Sequence, residues 1–215
     1  MKFLLTALNA KYIHSNPALY SLRAYAGKEM RDCIQIAEFT INNSIEDILA
    51  GIYEKQPDVI GFSCYIWNWE MIQKLIVLVN KVMPKVPIWL GGPEVSFHSE
   101  RILQQYPMLT GIMVGEGEAS FLELLQYYEG VGTKELKDIK GLQLPEGFSG
   151  ERELTDVSRL PFLYENLDEF TNRILYYESS RGCPFRCSYC LSSIDKTVRL
   201  RDVETVKKEL QFFFG

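Results

Sequence analysis

The sequence predicts an α/β fold in which a five-stranded, doubly wound parallel sheet is followed by a linker and one further βα unit. Apolar strand patterns alternate with helical patterns five times within about 130 residues, as is typical of a parallel sheet with right-handed crossovers. The periodicity then weakens up to about residue 173. It returns at residues 174–215, where a strand-like run, a cysteine-rich loop and a helical pattern follow one another.

The first five strands are short apolar runs, and the third is nearly all apolar, as expected for a strand buried on both faces. They are predicted at residues 2–8, 33–39, 58–64, 87–90 and 111–114. Helices are predicted at residues 17–28, 44–53, 67–82 and 96–106, and again from residue 118. Pro17 suits the first turn of its helix, and Ser44 with Asp47 resembles a capping box. We therefore predict a Rossmann-like domain at residues 1–130.

An extension and linker are predicted at residues 131–173. Glycine and proline within residues 141–150 indicate a small hairpin or an irregular extension, and residues 154–163 have the composition of a linker. Residues 174–215 form a single βα unit, which cannot close a parallel barrel of roughly 200 or more residues. We therefore expect the chain to be the amino-terminal part of a longer protein, its second domain truncated soon after it begins.

Composition limits the class of partner. The chain has 215 residues and a net charge of −5 with acidic and basic residues interspersed, which argues against nucleic acid as a main partner. Its apolar runs stay well short of the roughly 20 residues that a membrane span needs, and the first run is too short for a signal peptide. We expect a cytoplasmic protein with no membrane partner.

A cysteine triplet near the end carries the most specific chemistry. Cys183, Cys187 and Cys190 have the spacing C-x3-C-x2-C. A tight loop at this spacing can turn three thiolates toward a common centre. A four-iron cluster takes one thiolate on each iron, so three thiolates leave one iron open to another ligand. Arg181 and Arg186 place positive charge beside the thiols, which favours the ligating thiolate form.

The segments around the triplet support a built site. Residues 174–178 are β-branched and aromatic, which predicts a buried strand before the loop. Gly182 and Pro184 favour a turn around the first cysteine. A helical pattern follows at residues 203–213. This order predicts the opening βα unit of a parallel barrel, in which loops at the carboxyl ends of strands usually carry the chemistry.

Two other uses of the triplet are less favoured by the sequence. A disulfide scaffold is disfavoured because three is an odd number and the rest of the chain is typical of a reducing compartment. A structural zinc site needs a fourth ligand, and His14 and His98 are both distant in sequence. Zinc therefore remains an alternative to the iron–sulfur cluster.

Residues 180–190 resemble the signature of the radical S-adenosylmethionine enzymes, C-x3-C-x-Φ-C with an aromatic Φ, in which Tyr189 fills the aromatic position. The resemblance implies that Cys183, Cys187 and Cys190 hold a [4Fe–4S] cluster. It implies further that the open iron chelates S-adenosylmethionine, that reduction yields a 5′-deoxyadenosyl radical, and that Tyr189 lies near the adenine. We expect the reductant to be a flavodoxin- or ferredoxin-like protein.

Four loops follow strands of the first domain, at the edge where open parallel sheets bind ligands. They comprise residues 9–16, 63–67, 91–96 and 115–118. Glycines in the last two loops let the backbone approach a ligand closely, and the helices behind them offer free amides. Such glycines also serve simply as turn residues, so each loop taken alone leaves both interpretations open.

This domain, placed directly before the cysteine signature, resembles the cobalamin-binding members of the radical S-adenosylmethionine superfamily over essentially the whole chain. The resemblance implies that three loops surround the corrin and its nucleotide tail. The matching residues are Ser63, Cys64 and Tyr65; Gly91, Gly92, Pro93 and Glu94; and Gly115, Glu116, Gly117 and Glu118.

One departure from corrinoid domains concerns the lower cobalt ligand. Domains that ligate cobalt through histidine carry Asp-x-His-x-x-Gly after the first strand, whereas here His14 lies in that loop without the aspartate or the glycine. We therefore expect the corrinoid to bind with its own base displaced and without His14 as a ligand. His98 is interpreted as a surface or cap residue of its helix.

Three aromatic residues follow the third strand and offer apolar surface to a flat macrocycle, although core packing explains them equally well. They are Tyr65, Trp67 and Trp69. At this spacing Trp67 and Trp69 cannot share one helical face, so only some of the three can line a site. Cys33 and Cys64 are apolar-flanked and are interpreted as buried free thiols.

The resemblances together imply a cobalamin-dependent radical S-adenosylmethionine enzyme, with a methyltransferase as the main expectation and a rearrangement or ring closure as the nearest variant. The substrate would be a small molecule or a peptide. This chain alone should not turn over, because the barrel that would bind substrate is missing. The alternatives are a corrinoid- or nucleotide-binding module with a structural cysteine metal site, and a radical enzyme that acts without cobalamin.

Overall fold

A seven-stranded sheet with helices on both faces forms the body of the protein, and a two-stranded sheet follows it. The computed structural model describes residues 1–10, 14–193 and 197–214. The strands are β1 (Phe3–Asn9), β2 (Ile34–Thr40), β3 (Val59–Ser63), β4 (Ile88–Gly91), β5 (Gly111–Met113), β6 (Leu142–Leu144), β7 (Gly147–Phe148), β8 (Ser180–Arg181) and β9 (Arg199–Leu200). The helices are α1 (Pro17–Tyr25), α2 (Gly27–Met30), α3 (Ile45–Glu54), α4 (Trp69–Val82), α5 (Pro93–Ser96), α6 (Ser99–Gln105), α7 (Glu118–Glu129) and α8 (Val203–Phe212).

The strand order of the large sheet is β2-β1-β3-β4-β5-β6-β7, and the first five strands are parallel. The doubly wound parallel sheet is thereby confirmed. The chain runs outward from β1 in one direction to β2 and in the other to β3, so the order reverses between β1 and β3. In open α/β sheets this reversal opens a crevice at the carboxyl ends of the strands.

The sheet has two more strands than predicted. Residues 141–150 do form a hairpin, but β6 joins the edge of β5 in the antiparallel sense and β7 pairs with β6. Leu142 and Leu144 are buried and belong to the same apolar cluster as Trp89. The hairpin therefore covers an edge of β5 that would otherwise expose unpaired backbone groups.

Alternate side chains of β1 enter different halves of the core, as the two-residue repeat of a strand requires. Leu4 and Leu8 pack on the face covered by α3, α4 and α6. Phe3 and Leu5 pack on the opposite face with α1 and α7. All seven residues of β1 are buried, because helices cover both faces of the sheet.

Three helix predictions need correction at their ends, while the capping box is confirmed. The helix predicted at residues 67–82 begins at Trp69. The helix predicted at residues 17–28 ends at Tyr25 and a short α2 follows, with Gly27 in the left-handed region at φ +77°. The helix predicted at residues 96–106 is preceded by the separate short α5, which starts at Pro93. Ser44 Oγ accepts a hydrogen bond from the Asp47 amide at 3.0 Å. Among the described residues, no helix is long and apolar enough to cross a membrane.

The segment after β7 packs on the first domain through an aromatic cluster. Tyr164 and Phe170 are buried against Tyr20 of α1. The two rings contact each other edge to face, with centroids 5.0 Å apart. This packing holds residues 162–175 against α1 and, through Ile36, against β2.

The buried strand predicted at residues 174–178 is wrong. Ile174 makes one isolated bridge with His14, and both Ile174 and Tyr176 are about half exposed. The Tyr176 amide donates to the hydroxyl of Tyr164, which donates in turn to the Tyr176 carbonyl. The Tyr164 hydroxyl thus makes the two backbone hydrogen bonds that a partner strand would otherwise make with Tyr176.

Glu38 of β2 joins this segment to the sheet. Its side chain is 7% exposed and lies beside the Arg173 guanidinium at 2.5 Å. It also accepts hydrogen bonds from the Asn16 amide at 2.7 Å, the Tyr20 hydroxyl at 2.6 Å and the Asn9 side chain at 3.1 Å. One carboxylate therefore satisfies four donors from three segments.

We expect Glu38→Ala to lower the free energy of unfolding by about 3 kcal/mol, because buried donors and one guanidinium lose their acceptor. Urea denaturation followed by circular dichroism measures the change. Glu54→Ala is the control, since Glu54 is exposed at the end of α3 and should change stability by less than about 0.5 kcal/mol. Equal effects of the two substitutions would contradict this role of Glu38.

Candidate functional site at the carboxyl edge of the sheet

Asn68 holds the two central strands together where the strand order reverses. Its side-chain amide donates to the carbonyls of Leu8 and Ser63 at 3.0 Å each, and its oxygen accepts from the Tyr65 amide at 2.8 Å. Asn68 is completely buried. Position 68 was predicted to lie inside the helix at residues 67–82, so no contact between its side chain and the strands was expected.

The loops after β3 and β4 meet through backbone groups. The Cys64 amide donates to the Gly91 carbonyl at 2.7 Å, and the Glu94 amide approaches the Cys64 carbonyl at 3.4 Å. Gly92 has φ +109°, and a Cβ there would lie 2.4 Å from the Cys64 carbonyl oxygen. Glycine is therefore required at position 92 by the close approach of two backbones.

Ser96 connects the loop after β4 to the loop after β5, and the sequence analysis did not single it out as a site residue. Its hydroxyl donates to the Gly92 carbonyl at 2.9 Å and accepts from the Gly115 amide at 3.4 Å. A Cβ at Gly115 would meet no atom within 4 Å, so this part of the loop borders open space. The loops that contain Ser63, Gly91 and Gly115 are thus brought to one edge.

An exposed aromatic stack follows β3. The rings of Tyr65 and Trp67 are parallel within 8° with centroids 4.4 Å apart. Trp67 is 45% exposed and its neighbour Ile66 is 81% exposed. Trp69 instead packs edge to face on Tyr106, while Trp67 lies before α4, so the two tryptophans face different surroundings.

The thiols outside the triplet differ in burial. Cys64 is completely buried and donates to the Phe62 carbonyl at 3.6 Å, and burial raises the pKa of its thiol. The prediction of a buried free thiol is confirmed for Cys64, whose backbone rather than its side chain joins the loop network. Cys33 is only partly buried, which corrects the prediction for that residue.

The two histidines lie in different surroundings. The His14 ring packs edge to face on Tyr176, and its Nδ1 lies 3.0 Å from the Ser15 carbonyl. His98 is exposed at the start of α6, which confirms it as a surface residue. The part of the predicted loop at residues 11–13 lies outside the described residues.

The cysteine triplet lies on an exposed loop directly after β8. Cys187 is exposed and the other two cysteines are partly exposed. The Cys190 amide donates to the Cys187 carbonyl at 3.1 Å, which folds this part of the loop into a turn. Tyr189 is 92% exposed, so its ring is available to a ligand.

Three thiols within eight residues fit the donor set of a cluster with one open iron, in number and in chemistry. Within the described ranges 1–10, 14–193 and 197–214, however, no three side chains among His, Cys, Asp and Glu are close enough to share a metal ion.

A cluster of carboxylates and arginines joins the loop after β5 to the strands beside the cysteine loop. We call it the Glu–Arg cluster and define it as Glu116, Glu118, Glu178, Arg181 and Arg199. Arg199 forms two hydrogen bonds to Glu116, at 2.5 and 3.1 Å. Arg181 contacts Glu118 at 2.5 Å, Glu178 at 2.9 Å and Glu116 at 3.6 Å.

The cluster has three carboxylates and two guanidinium groups, and each arginine stabilises the ionised form of the carboxylates that it contacts. Burial opposes ionisation of Glu116, but hydrogen bonds from Arg199 and Thr155 and the charge of Arg181 hold its pKa below the ordinary value. Burial likewise disfavours the Arg181 cation, yet hydrogen bonding with Glu118 and the nearby carboxylates raise its pKa. Arg181 was expected to act on the thiols, but its guanidinium contacts carboxylates, and Arg186 is exposed.

Comparison with known families gives a match for the first domain. The family model described as "B12 binding domain" matches residues 4–125, more than half of the chain. This range includes all of β1 except Phe3, β2 to β5, and the three loops at the carboxyl edge.

Curated relatives cover most of this chain but are much longer. The cobalamin-dependent radical SAM methyltransferase TokK of Streptomyces tokunonensis is 28% identical over 79% of this chain and 27% of its own length. The anaerobic magnesium-protoporphyrin IX monomethyl ester cyclase of Cereibacter sphaeroides is 25% identical over 78% of this chain and 30% of its own. The chain therefore spans less than a third of the length of these two relatives.

A solved structure with a similar fold is that of the cobalamin-dependent S-adenosylmethionine radical enzyme OxsB with aqua-cobalamin and S-adenosylmethionine bound. The TM-score is 0.78 at 21% sequence identity, and the match covers 98% of this chain and 31% of OxsB. The similarity of fold thus extends beyond the parallel sheet into the segment that carries the cysteines.

Proposed function

Because the chain belongs to the B12-binding domain family, we propose that it binds cobalamin at the carboxyl edge of its sheet. We propose further that it is the amino-terminal part of a cobalamin-dependent radical S-adenosylmethionine enzyme, with methyl transfer as the main reaction. The B12-binding family match over residues 4–125 carries the first part. The cysteine triplet directly behind this domain carries the second.

The carboxyl edge has the surface that a flat macrocycle needs. Trp67 presents an exposed ring stacked on Tyr65, and apolar contact with a ring of this size favours binding. Gly115 borders open space, while the Gly92 backbone is fixed against Cys64. These residues would bind and orient cobalamin, and Asn68 would keep β1 and β3 in register beneath it.

We assign Cys183, Cys187 and Cys190 as ligands of a [4Fe–4S] cluster and place the exposed ring of Tyr189 near the adenine of S-adenosylmethionine. The chemistry that these cofactors supply when bound is formation of a carbon radical on the substrate and delivery of a methyl group to it. The residues of this chain hold the cofactors and set the spacing between them. The fold similarity to OxsB over 98% of the chain supports this arrangement.

The relatives also favour a second reaction. Because a cyclase is among them, ring closure on a radical substrate without methyl transfer is the alternative. In both cases the substrate is a small molecule or a peptide, the reductant is a flavodoxin- or ferredoxin-like protein, and the site of action is the cytoplasm.

Cobalamin binding is tested by equilibrium titration with hydroxocobalamin and visible absorbance after desalting. We expect about one corrinoid per chain. Trp67→Ala should weaken binding about tenfold, because the exposed member of the stack is removed, and tenfold corresponds to about 1.4 kcal/mol. The same titration of Tyr53→Ala is the control, since Tyr53 is exposed in the last turn of α3, at the opposite edge of the sheet.

Absence of retained corrinoid in the unmodified chain and in the longer protein would overturn the cobalamin assignment. Equal weakening by Trp67→Ala and Tyr53→Ala would instead contradict the assigned edge. Unchanged binding in Tyr53→Ala combined with weaker binding in Trp67→Ala supports the cobalamin assignment and the carboxyl edge as its site.

A further inference from the structure

We infer that the Glu–Arg cluster couples the occupancy of the carboxyl edge to the conformation of the cysteine loop, with Arg181 as the positioning residue. This inference rests on the proposed function and adds a link between its two cofactor sites. It concerns residues that lie outside the triplet and that were not expected to pair.

The cluster lies close in sequence to the loop after β5 and to the cysteine loop. Glu116 lies between Gly115 and Gly117, in the loop that borders open space. Arg181 ends β8, and only Gly182, at φ +92°, separates it from Cys183. A displacement of the loop after β5 therefore reaches the first cysteine through one ion-paired contact and two peptide units.

Burial makes this contact more rigid than a surface ion pair. The side chains of Glu118 and Arg181 are 5% and 15% exposed, respectively. Arg199 adds a two-pronged contact to Glu116, and its guanidinium also donates to the Thr155 carbonyl at 2.6 Å. Planar, bidentate pairs of this kind fix orientation as well as charge, which an exposed pair does not.

The segments on either side of the cluster have more freedom. Cys187 and Tyr189 are exposed, and a Cβ at Gly115 would meet no neighbouring atom. A buried link between the exposed Gly115 and the exposed part of the cysteine loop transmits a displacement instead of absorbing it. On this inference, a ligand that orders residues 115–117 biases the cysteine loop. Because coupling free energies are reciprocal, the loop conformation then changes the affinity for that ligand by the same factor.

The test measures the alkylation rate of the triplet thiols by iodoacetamide, using the iron-free chain with and without saturating cyanocobalamin. Mass spectrometry of the peptide that contains Cys183, Cys187 and Cys190 follows the reaction. We expect cyanocobalamin to change the rate about fivefold in the unmodified chain. In Arg181→Lys the change should fall below about 1.5-fold, because lysine keeps the charge but cannot contact several carboxylates in one plane.

Arg199→Lys is the second variant, because it weakens the cluster from the other strand. The control is Arg152→Lys, since Arg152 has a similar exposure of 19% and pairs with Glu123 of α7, outside the cluster. It should leave the fivefold change intact. Corrinoid retention by each variant is measured in the same samples.

The outcomes separate the inference from the proposed function. Failure of the unmodified chain to retain cyanocobalamin overturns both. Retention with an unchanged alkylation rate overturns the inference alone. A fivefold change that persists in both cluster variants also overturns it, because the corrinoid would then shield the thiols directly. Loss of the change in both cluster variants, but not in Arg152→Lys, supports the coupling.

Discussion

Gly92→Ala should lower the free energy of unfolding by about 4 kcal/mol, because the added methyl group would clash with backbone atoms at a strained φ. The added Cβ would lie 2.4 Å from the Cys64 carbonyl oxygen and 3.0 Å from its nitrogen. Both are backbone atoms, so no side-chain rotation relieves the clash. The left-handed φ of +109° adds strain of about 1–3 kcal/mol for any residue with a Cβ.

Gly115→Ala separates the clash with backbone atoms from the strain of a positive φ. Gly115 also has a positive φ, +79°, but a Cβ there would meet nothing within 4 Å. The substitution should therefore cost only the backbone term of about 1–2 kcal/mol. Urea denaturation of the two variants measures the difference in the free energy of unfolding. Equal losses would show that the backbone at Cys64 moves aside and that the clash adds nothing to the cost.

The local parts of this structure could be predicted from the sequence because they depend on local periodicity. The first strand was predicted at residues 2–8 and is observed at Phe3–Asn9, and the cap at Ser44 was predicted with its partner. Strand pairing is a different matter. The β-branched, aromatic composition of residues 174–178 indicated a strand but could not indicate a neighbour, and Tyr176 is held by the Tyr164 hydroxyl instead.

The candidate site likewise has a part that could be predicted from the sequence and a part that could not. Glycine-containing loops after strands were recognisable, because the chain order of a parallel sheet places them at one edge. The partners of Glu116 and Glu118 were not, since Arg199 lies 83 residues from Glu116 and Arg181 lies 63 residues from Glu118. Pairing over such separations leaves no periodic signal. Asn68 was missed for a related reason, as its contact with Leu8 spans 60 residues.

Cys187→Ala should abolish the binding of iron and sulfide by this chain. After anaerobic reconstitution with ferrous iron and sulfide followed by desalting, we expect the unmodified chain to retain both in equal amounts. The variant should retain neither above background, because two thiolates cannot hold a cluster that takes one thiolate on each of three irons. Iron and sulfide analysis gives the result, and the visible charge-transfer absorption should disappear with the iron.

Cys33→Ala is the matched control, because it removes one thiol that is partly buried and lies outside the triplet. It should retain iron and sulfide in full. Cys187 is exposed, so its replacement should change stability by less than about 0.5 kcal/mol, and loss of iron cannot then be attributed to unfolding. Stoichiometric zinc in the unmodified chain, with no sulfide, would contradict the cluster and favour a structural metal site. Because no three described metal-binding side chains converge at present, bound iron would also require the loop after β8 to close around it.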